Sequence, residues 1–244
     1  MDRTEVARTL GVDDDIIDLA CVVRKEIADY VELTEEICRT NTARVLEAFA
    51  EAALADYHFG GTTGYGYDDT GRDCLEKAFA HVFGAESALV RIQIVSGTHA
   101  LAAVLFGVLR PGDLLVSAYG APYDTMVTMI GANRPVRGSL GEYGVDYLEV
   151  APAADGEPDF EQIASASKGA RMVLVQRSPG YSWRKSLGVD DIGRITRCVK
   201  ESNPEAIVFV DNCYGEFVET QEPTAVGADI VAGSLIKNPG GGIA

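Results

Sequence analysis

Two stretches near the end of the chain decide the fold: IVFVDNCYGEF at Ile207–Phe217 and GADIVAGSLIKNPGGG at Gly227–Gly242. Each begins with a short apolar run that is typical of a buried strand. The first run ends on a carboxylate, Asp211, and the second leads into a Ser/Gly-rich turn that carries a single lysine, Lys237. In sheets of parallel strands, functional sites lie at the carboxyl ends of the strands. The two side chains are therefore candidates for one site.

A lysine and a carboxylate in this arrangement suit the chemistry of pyridoxal 5′-phosphate. The amine of Lys237 would form a Schiff base with the aldehyde of that cofactor. The carboxylate of Asp211 would pair with the pyridine nitrogen, so that the ring can take up electrons. Each residue also has a simpler interpretation, because a lysine after a strand is often a solvated loop residue and an aspartate there is often a helix cap.

A third element, at IQIVSGTHA (92–100), adds weight to the pair. We predict that a strand is followed here by a turn of Ser96, Gly97 and Thr98 that opens a helix. The first turn of a helix presents free backbone N–H groups and the positive end of its dipole to an anion. Gly97 permits close approach of the backbone, and the two hydroxyls add hydrogen bonds. The pattern predicts a phosphate-binding cradle.

The rest of the chain alternates between helical and β-type patterns, which predicts an α/β fold with a mostly parallel sheet flanked by helices. An N-terminal helical segment precedes it over residues 13–55, with a new helix beginning near Asn41 or Thr42. Helices are predicted at 72–83, 98–109, 123–130, 159–165 and 189–202, and strands at 88–95, 114–117, 146–150, 172–176, 206–210 and 230–232. We assign residues 1–60 to the helical segment and 61–244 to a cofactor-binding large domain.

Six motifs occur in an order that is similar to that of a known family. The chain resembles fold-type I pyridoxal-phosphate enzymes of the cystathionine/methionine gamma-lyase kind, and most closely their aluminium-resistance branch. The motifs are GYGYDDTGRD (64–73), VSGTHA (95–100), SAYGAPYDT (117–125), QRSPGYSWRKSL (176–187), VDNCYGEF (210–217) and GSLIKNPGGG (233–242).

The resemblance implies a role for each candidate residue. Lys237 is the Schiff-base lysine and proton carrier, Asp211 holds the pyridine nitrogen, and Tyr119 stacks on the ring. The phosphate is bound by Ser96, Gly97, Thr98 and Ser234, together with Tyr65 from a neighbouring subunit. The family places an arginine two residues after this tyrosine, whereas this chain has Tyr67, so a cationic contact from that position is not expected.

Three positions remain open at this level. His99 either faces solvent or the core as a first-turn helix residue, or shares the stacking with Tyr119. Gln176, which follows a strand, is a candidate for contact with the ring. Arg72 is a substitute for the arginine that position 67 lacks.

Composition limits the other partners. The net charge of −16 argues against nucleic acid or an anionic membrane as a partner. The five cysteines form no CxxC pair, so neither a disulfide framework nor a zinc site is expected, and a reducing cytoplasm is the simplest location. No metal site is predicted from His58, His81 and His99. The expected partners are a small amino-acid substrate and further copies of the chain, as a homodimer or homotetramer.

The resemblance predicts a carbon–sulfur lyase that acts on a sulfur-containing amino acid. Alternatives on the same fold are an aminotransferase, an aldolase or a decarboxylase, because the fold does not determine the reaction. Relatives of this kind continue beyond the lysine into a small C-terminal domain that supplies a carboxylate-binding arginine. We therefore expect the chain to be an N-terminal fragment, and an inert fragment is a further alternative.

Overall fold

A computed structural model describes residues 2–63, 69–134 and 136–238 of the chain. Its centre is a parallel sheet of five strands, β1 (Leu114–Ser117), β2 (Asp146–Glu149), β3 (Met172–Gln176), β4 (Ile207–Asp211) and β5 (Ile230–Ala232). The strand order is β2-β1-β3-β4-β5, and every pairing is parallel. The predicted α/β fold with a parallel sheet is confirmed.

The register of the sheet brings Asp211 to its carboxyl edge. Asp211 is the last residue of β4 and pairs with Gln176 of β3 on one side and with Ala232 of β5 on the other. All five residues of β3 are buried, as are the last four of β4. These continuous apolar strands are typical of a sheet covered on both faces.

Helices cover both faces of the sheet, and their bounds are close to those predicted. They are α4 (Thr70–Phe83), α5 (Gly97–Val108), α6 (Asp124–Ile130), α7 (Phe160–Ser167) and α8 (Val189–Ser202), with short 3-10 helices at Asp56–Phe59 and Pro223–Val226. One apolar cluster joins α7 and α8 to residues such as Val175 and Val210. A second joins α5 and α6 to Leu174 and Phe209. Alternate residues of each strand thus enter opposite cores.

The N-terminal helical segment is also confirmed, although its details differ from prediction. It consists of α1 (Arg3–Thr9), α2 (Asp14–Glu26) and α3 (Ala28–Glu51). No helix begins near Asn41, because α3 runs through that position without interruption. The chain separates into compact units at 1–43 and 44–244 rather than at residue 60. The reason is that Ala48, near the end of α3, and Ala52, directly after that helix, pack with α4 in a third apolar cluster.

The predicted strand at 88–95 is wrong. These residues form turns and irregular backbone, and several of their apolar side chains are exposed, including Leu89, Ile92 and Val95. The backbone hydrogen bonds are local: Ile94 N–H donates to the carbonyl of Arg91, and Val90 N–H donates to the carboxylate of Glu76 at 2.9 Å. This short apolar run has the composition of a strand, but it pairs with no strand in the described part of the chain.

Phe209 provides a test of the core. Its side chain is 0 % exposed in β4, so the Phe209→Ala variant leaves a cavity under the site-bearing strand. We expect the free energy of unfolding to fall by about 3–5 kcal/mol, measured by urea denaturation. Leu89→Ala, at a position that is 66 % exposed, serves as the control and should change it by less than about 0.5 kcal/mol. Equal effects in the two variants would contradict this assignment of the core.

Candidate active site

A cavity of about 660 Å³ opens at the carboxyl ends of β3 and β4. Its wall contains Asp211, Cys213 and Tyr214 from the segment after β4, Lys237 from the segment after β5, and Tyr123 from the start of α6. The remaining wall comes from the loop after β3, at residues 177–181 and 186–188, and from 215, 218 and 219. The two residues that the sequence singles out, Asp211 and Lys237, therefore line the same cavity.

The Asp211 carboxyl is buried, with only 3 % of the residue exposed. One of its oxygens accepts a hydrogen bond from the backbone N–H of Cys213 at 3.1 Å. Burial raises the pKa of this carboxyl, while the bond from Cys213 and the nearby charge of Lys237 act in the opposite direction. A buried carboxylate with so few partners is prepared to receive a positively charged or proton-bearing group from the cavity.

Lys237 lies in a tight turn that begins at Ser234. The backbone N–H of Lys237 donates to the carbonyl of Ser234 at 2.9 Å, and that of Asn238 donates to the same carbonyl at 3.3 Å. The ammonium nitrogen of Lys237 lies 4.7 Å from the centre of the Tyr214 ring, which is a favourable cation–π distance. The lysine is thus held at the wall of the cavity.

The cradle of Ser96, Gly97 and Thr98 forms the N-terminus of α5 as predicted. Ser96 is the cap, and its hydroxyl accepts a hydrogen bond from His99 N–H at 3.1 Å. A Cβ at Gly97 would come within 3.2 Å of Ser234 Cβ and 3.4 Å of Cys213 Sγ. The cradle therefore meets the lysine turn and the Asp211 segment at one point, where a bulkier residue would intrude.

Tyr119 is not brought to the cavity. It is 2 % exposed and lies in the apolar cluster with α7 and α8, on the face of the sheet opposite to Phe209 and hence to Asp211. Its hydroxyl donates to the carbonyl of Gly156 at 2.5 Å, and the Arg184 guanidinium lies 4.6 Å from its ring centre. The structure gives Tyr119 a packing role.

Tyr123, four residues further on, is the tyrosine of this motif that reaches the cavity. It lines the cavity, and its hydroxyl lies 2.8 Å from that of Thr98 in the cradle. Its backbone N–H donates to the side-chain carbonyl of Gln176 at 2.8 Å. Sequence reasoning missed Tyr123, although it lies within the same quoted motif at 117–125.

The structure also shows where Gln176, His99 and Arg72 lie, the three positions that the sequence left open. Gln176 is 4 % exposed and uses its amide to bind Tyr123 N–H and the carbonyl of Ser178, so it supports the cavity wall. His99 is exposed, and its Nδ1 accepts from Val95 N–H at 3.4 Å. Arg72 lies near Asp73, with 4.0 Å between Nε and Oδ1. Tyr65 and Tyr67 lie outside the described residues.

A buried polar network that was not predicted lies beneath the cavity. Arg177 is 4 % exposed and donates to the carbonyls of Leu187 and Gly215, to Asn212 Oδ1 and to the carboxylate of Glu219. Asn212 in turn donates to Glu222 at 2.9 Å. Its signal in the sequence is a charged residue directly after β3 and an asparagine directly after β4.

One metal-type cluster, Glu47, Glu51 and His81, occurs among the described residues. It was not expected, because the helices bring together side chains that are distant in sequence. His81 Nδ1 lies 2.9 Å from the carboxylate of Glu51, and both glutamates are exposed. An ordinary surface contact between a histidine and exposed carboxylates accounts for this cluster.

The fold and the site define the class of protein: an α/β fold like that of pyridoxal-phosphate enzymes, with a lysine and a buried carboxylate at one edge of the sheet. The chain belongs to the methionine gamma-lyase family, whose profile matches residues 16–244. This confirms the resemblance carried by the six motifs.

Relatives known by sequence include two that show the range of similarity. The chain is 49 % identical over 227 residues to the uncharacterized protein YnbB of Bacillus subtilis, with 92 % of this chain and 54 % of that protein covered. It is 27 % identical over 166 residues to L-methionine gamma-lyase of Pseudomonas putida, covering 67 % of this chain and 36 % of that enzyme. The chain therefore spans about half the length or less of these relatives.

Solved structures that are similar to this fold include two from bacteria. One is a candidate cystathionine beta-lyase involved in aluminum resistance from Listeria monocytogenes, with 50 % identity and a TM-score of 0.89, covering 93 % of this chain and 58 % of that one. The other, a carbon-sulfur lyase involved in aluminum resistance from Clostridium novyi, has 42 % identity and a TM-score of 0.88, covering 97 % and 57 %. The chain is thus similar to proteins named as cystathionine beta-lyases and carbon-sulfur lyases. Among the described residues, no helix is both long and apolar enough to span a membrane.

The buried carboxyl of Asp211 predicts a stability that depends on pH. Burial raises its pKa in the folded state, so the folded protein is penalised while the carboxyl is ionised, and the penalty is relieved as the pH falls through the raised pKa. Asp211→Asn keeps the acceptor for Cys213 but removes the charge. We expect this variant, without cofactor, to gain about 1–3 kcal/mol of unfolding free energy at pH 7.

Urea denaturation at several pH values measures this difference, which should shrink as the pH approaches the ordinary aspartate pKa of about 3.9. Asp146→Asn, at an exposed position at the start of β2, is the matched control and should change stability by less than about 0.5 kcal/mol. A loss of stability in Asp211→Asn at pH 7 would contradict the proposed electrostatic penalty.

Proposed function

We propose that the protein is a pyridoxal 5′-phosphate-dependent carbon–sulfur lyase that acts on a small sulfur-containing amino acid. The observation that carries the proposal is the shared cavity of Lys237 and Asp211, beside the junction of Gly97 with Ser234. The names of the related lyases agree with this reaction class. An aminotransferase of the same fold would use the same two residues, so the reaction type rests on the relatives.

The residues present fit the cofactor. The first turn of α5 offers backbone N–H groups to a phosphate, and the space against Gly97 is too narrow for another residue without displacement of Ser234. The buried Asp211 carboxylate suits a protonated pyridine nitrogen, because a positive partner offsets the desolvation of the charge. Tyr123, which contacts the cradle through Thr98 and lines the cavity, is an aromatic side chain available to the ring face.

When bound, pyridoxal phosphate withdraws electrons from the α-carbon of an amino acid. The chain's own residues do the remaining work. The amine of Lys237 would hold the cofactor through its aldehyde, and Lys237 Nζ would carry protons to and from the substrate. The Asp211 carboxylate would hold the proton on the pyridine nitrogen. The buried network of Arg177 holds the cavity wall in place, so that these groups are oriented before substrate arrives.

The first test locates the covalent attachment. We expect borohydride reduction of the protein with pyridoxal phosphate to label Lys237, because that lysine lines the cavity with Asp211. Peptide mass spectrometry identifies the labelled residue, and Lys237→Arg is the matched control that keeps the charge and should abolish the label. Label on Lys185 or Lys200 instead would refute the assignment. The product formed from cystathionine, methionine or cysteine then distinguishes elimination from amino-group transfer.

We also propose that the protein forms a homo-oligomer. Ile92 and Val95 are 90 % and 80 % exposed just before the cradle, and burial of such side chains against a second copy is favourable. Sedimentation velocity should show a dimer or tetramer, and the double variant Ile92→Ser/Val95→Ser should shift it toward monomer. The control is Leu10→Ser, at the C-terminal end of α1, where the residue is 76 % exposed. This variant should leave the oligomeric state unchanged. A monomeric parent protein would disprove this proposal.

A further inference from the structure

Glu216 is in direct contact with both ends of the turn that carries Lys237. One oxygen of its carboxyl, Oε1, accepts a hydrogen bond from the backbone N–H of Ser234. Its own backbone carbonyl accepts from the side-chain amide of Asn238. Ser234 and Asn238 are the first and last residues of the turn, so a single residue holds Lys237 between two contacts.

The approach between Glu216 and the turn is very close. Glu216 is 1 % exposed, and a Cβ placed on Gly233 would overlap its carboxyl group. A side chain at position 233 would force the Glu216 carboxyl to move, so glycine there allows the chain to enter the turn at this distance. Such tight packing leaves the turn little freedom to shift while Glu216 is in place.

Glu216 is itself fixed by the segment around it. The carbonyl of Gly215 accepts from Arg177 at 2.7 Å, and the N–H of Phe217 donates to Glu222 at 2.9 Å. Tyr214 and Phe217 both have positive φ, 70° and 60°, a conformation that non-glycine residues keep only where surrounding contacts impose it. The segment Tyr214–Phe217, which contacts the lysine turn through Glu216, is thus held in one conformation.

The second carboxyl oxygen, Oε2, is buried and has no hydrogen-bond partner among the described residues. Burial raises the pKa of Glu216, so a negative charge at this position is disfavoured. What the turn requires is an acceptor for Ser234 N–H, and a neutral amide of the same shape supplies one. Glutamine should therefore replace Glu216, whereas leucine, which has similar bulk and no acceptor, should not.

We propose that Glu216 is a positioning residue for Lys237: it fixes the Ser234–Asn238 turn so that the lysine amine stays at the cavity with Asp211. The proposal deepens the proposed function and rests on it. No relationship to the substrate is implied, because Glu216 acts only through the turn.

The experiment compares Glu216→Gln with Glu216→Leu in the whole chain. Hydrogen exchange of the 234–238 backbone amides is measured without cofactor, and the rate of borohydride-trapped labelling of Lys237 is measured with pyridoxal phosphate. In Glu216→Leu we expect exchange about fivefold or more faster and labelling slower by a similar factor, as the loss of one hydrogen bond implies. Glu216→Gln should stay within about twofold of the parent in both measurements.

Asn203→Ala controls for general loss of stability. Its side-chain amide binds the carbonyls of Ser167 and Ala170 at 2.9 and 3.0 Å, away from the site. This variant should lower the melting temperature and leave exchange at 234–238 and labelling unchanged. Slower labelling in Asn203→Ala and Glu216→Leu alike, in proportion to their melting temperatures, would overturn the positioning role.

The remaining outcomes separate the two proposals. Unchanged exchange in Glu216→Leu, or equal defects in the leucine and glutamine variants, overturns the role of Glu216. Absence of label on Lys237 in the parent chain refutes the proposed function instead, while exchange still reports whether Glu216 holds the turn. If Glu216→Leu does not fold, Asn238→Ala removes the other contact, and unchanged exchange in that variant overturns the proposal.

Discussion

The burial of the Asp211 carboxyl at the end of β4 is the constraint on which the rest of the site depends. Parallel pairing with β3 and β5 places Asp211 between Gln176 and Ala232, where water is excluded and a charge is unfavourable. The folded chain accepts this unfavourable group because β4 is an interior strand that pairs with β3 on one side and β5 on the other. A stable core thus supports a local arrangement that is unstable by itself.

The segment after β4 converts that burial into a shaped site. Arg177, which crosses from the end of β3, binds Asn212 and the carbonyl of Gly215, and a side chain at Gly215 would overlap it. The segment after β4 therefore positions three side chains differently. Asp211 lines the cavity, Tyr214 lies against the Lys237 ammonium, and Glu216 binds the turn that carries Lys237. Polar networks of this kind specify one arrangement because a half-satisfied alternative is costly.

Tyr119 and Tyr123 show why a motif does not determine which residue acts. Both lie in SAYGAPYDT after β1, and both are aromatic side chains at the correct edge of the sheet. Tyr119 is directed into the α7–α8 core and uses its hydroxyl on Gly156. The chain then turns at Gly120, whose φ of 77° is positive, and returns Tyr123 to the cavity. The turn at Gly120, rather than the spacing of the two tyrosines in the motif, determines that Tyr123 lines the cavity.

The sequence by itself determined the parallel α/β sheet, the start of a helix at Ser96–Thr98 and the placement of Asp211 and Lys237 at or after the ends of neighbouring strands, because continuous apolar strands and residues at their carboxyl ends are local patterns. Only the tertiary structure decided that 88–95 is not a strand, since an apolar run needs a paired neighbour. It alone placed Tyr123 rather than Tyr119 at the cavity, and it alone brought Arg177 and Glu216 under the site. These contacts join residues from segments that follow different strands. The spacing of residues within one segment does not determine how far that segment lies from another.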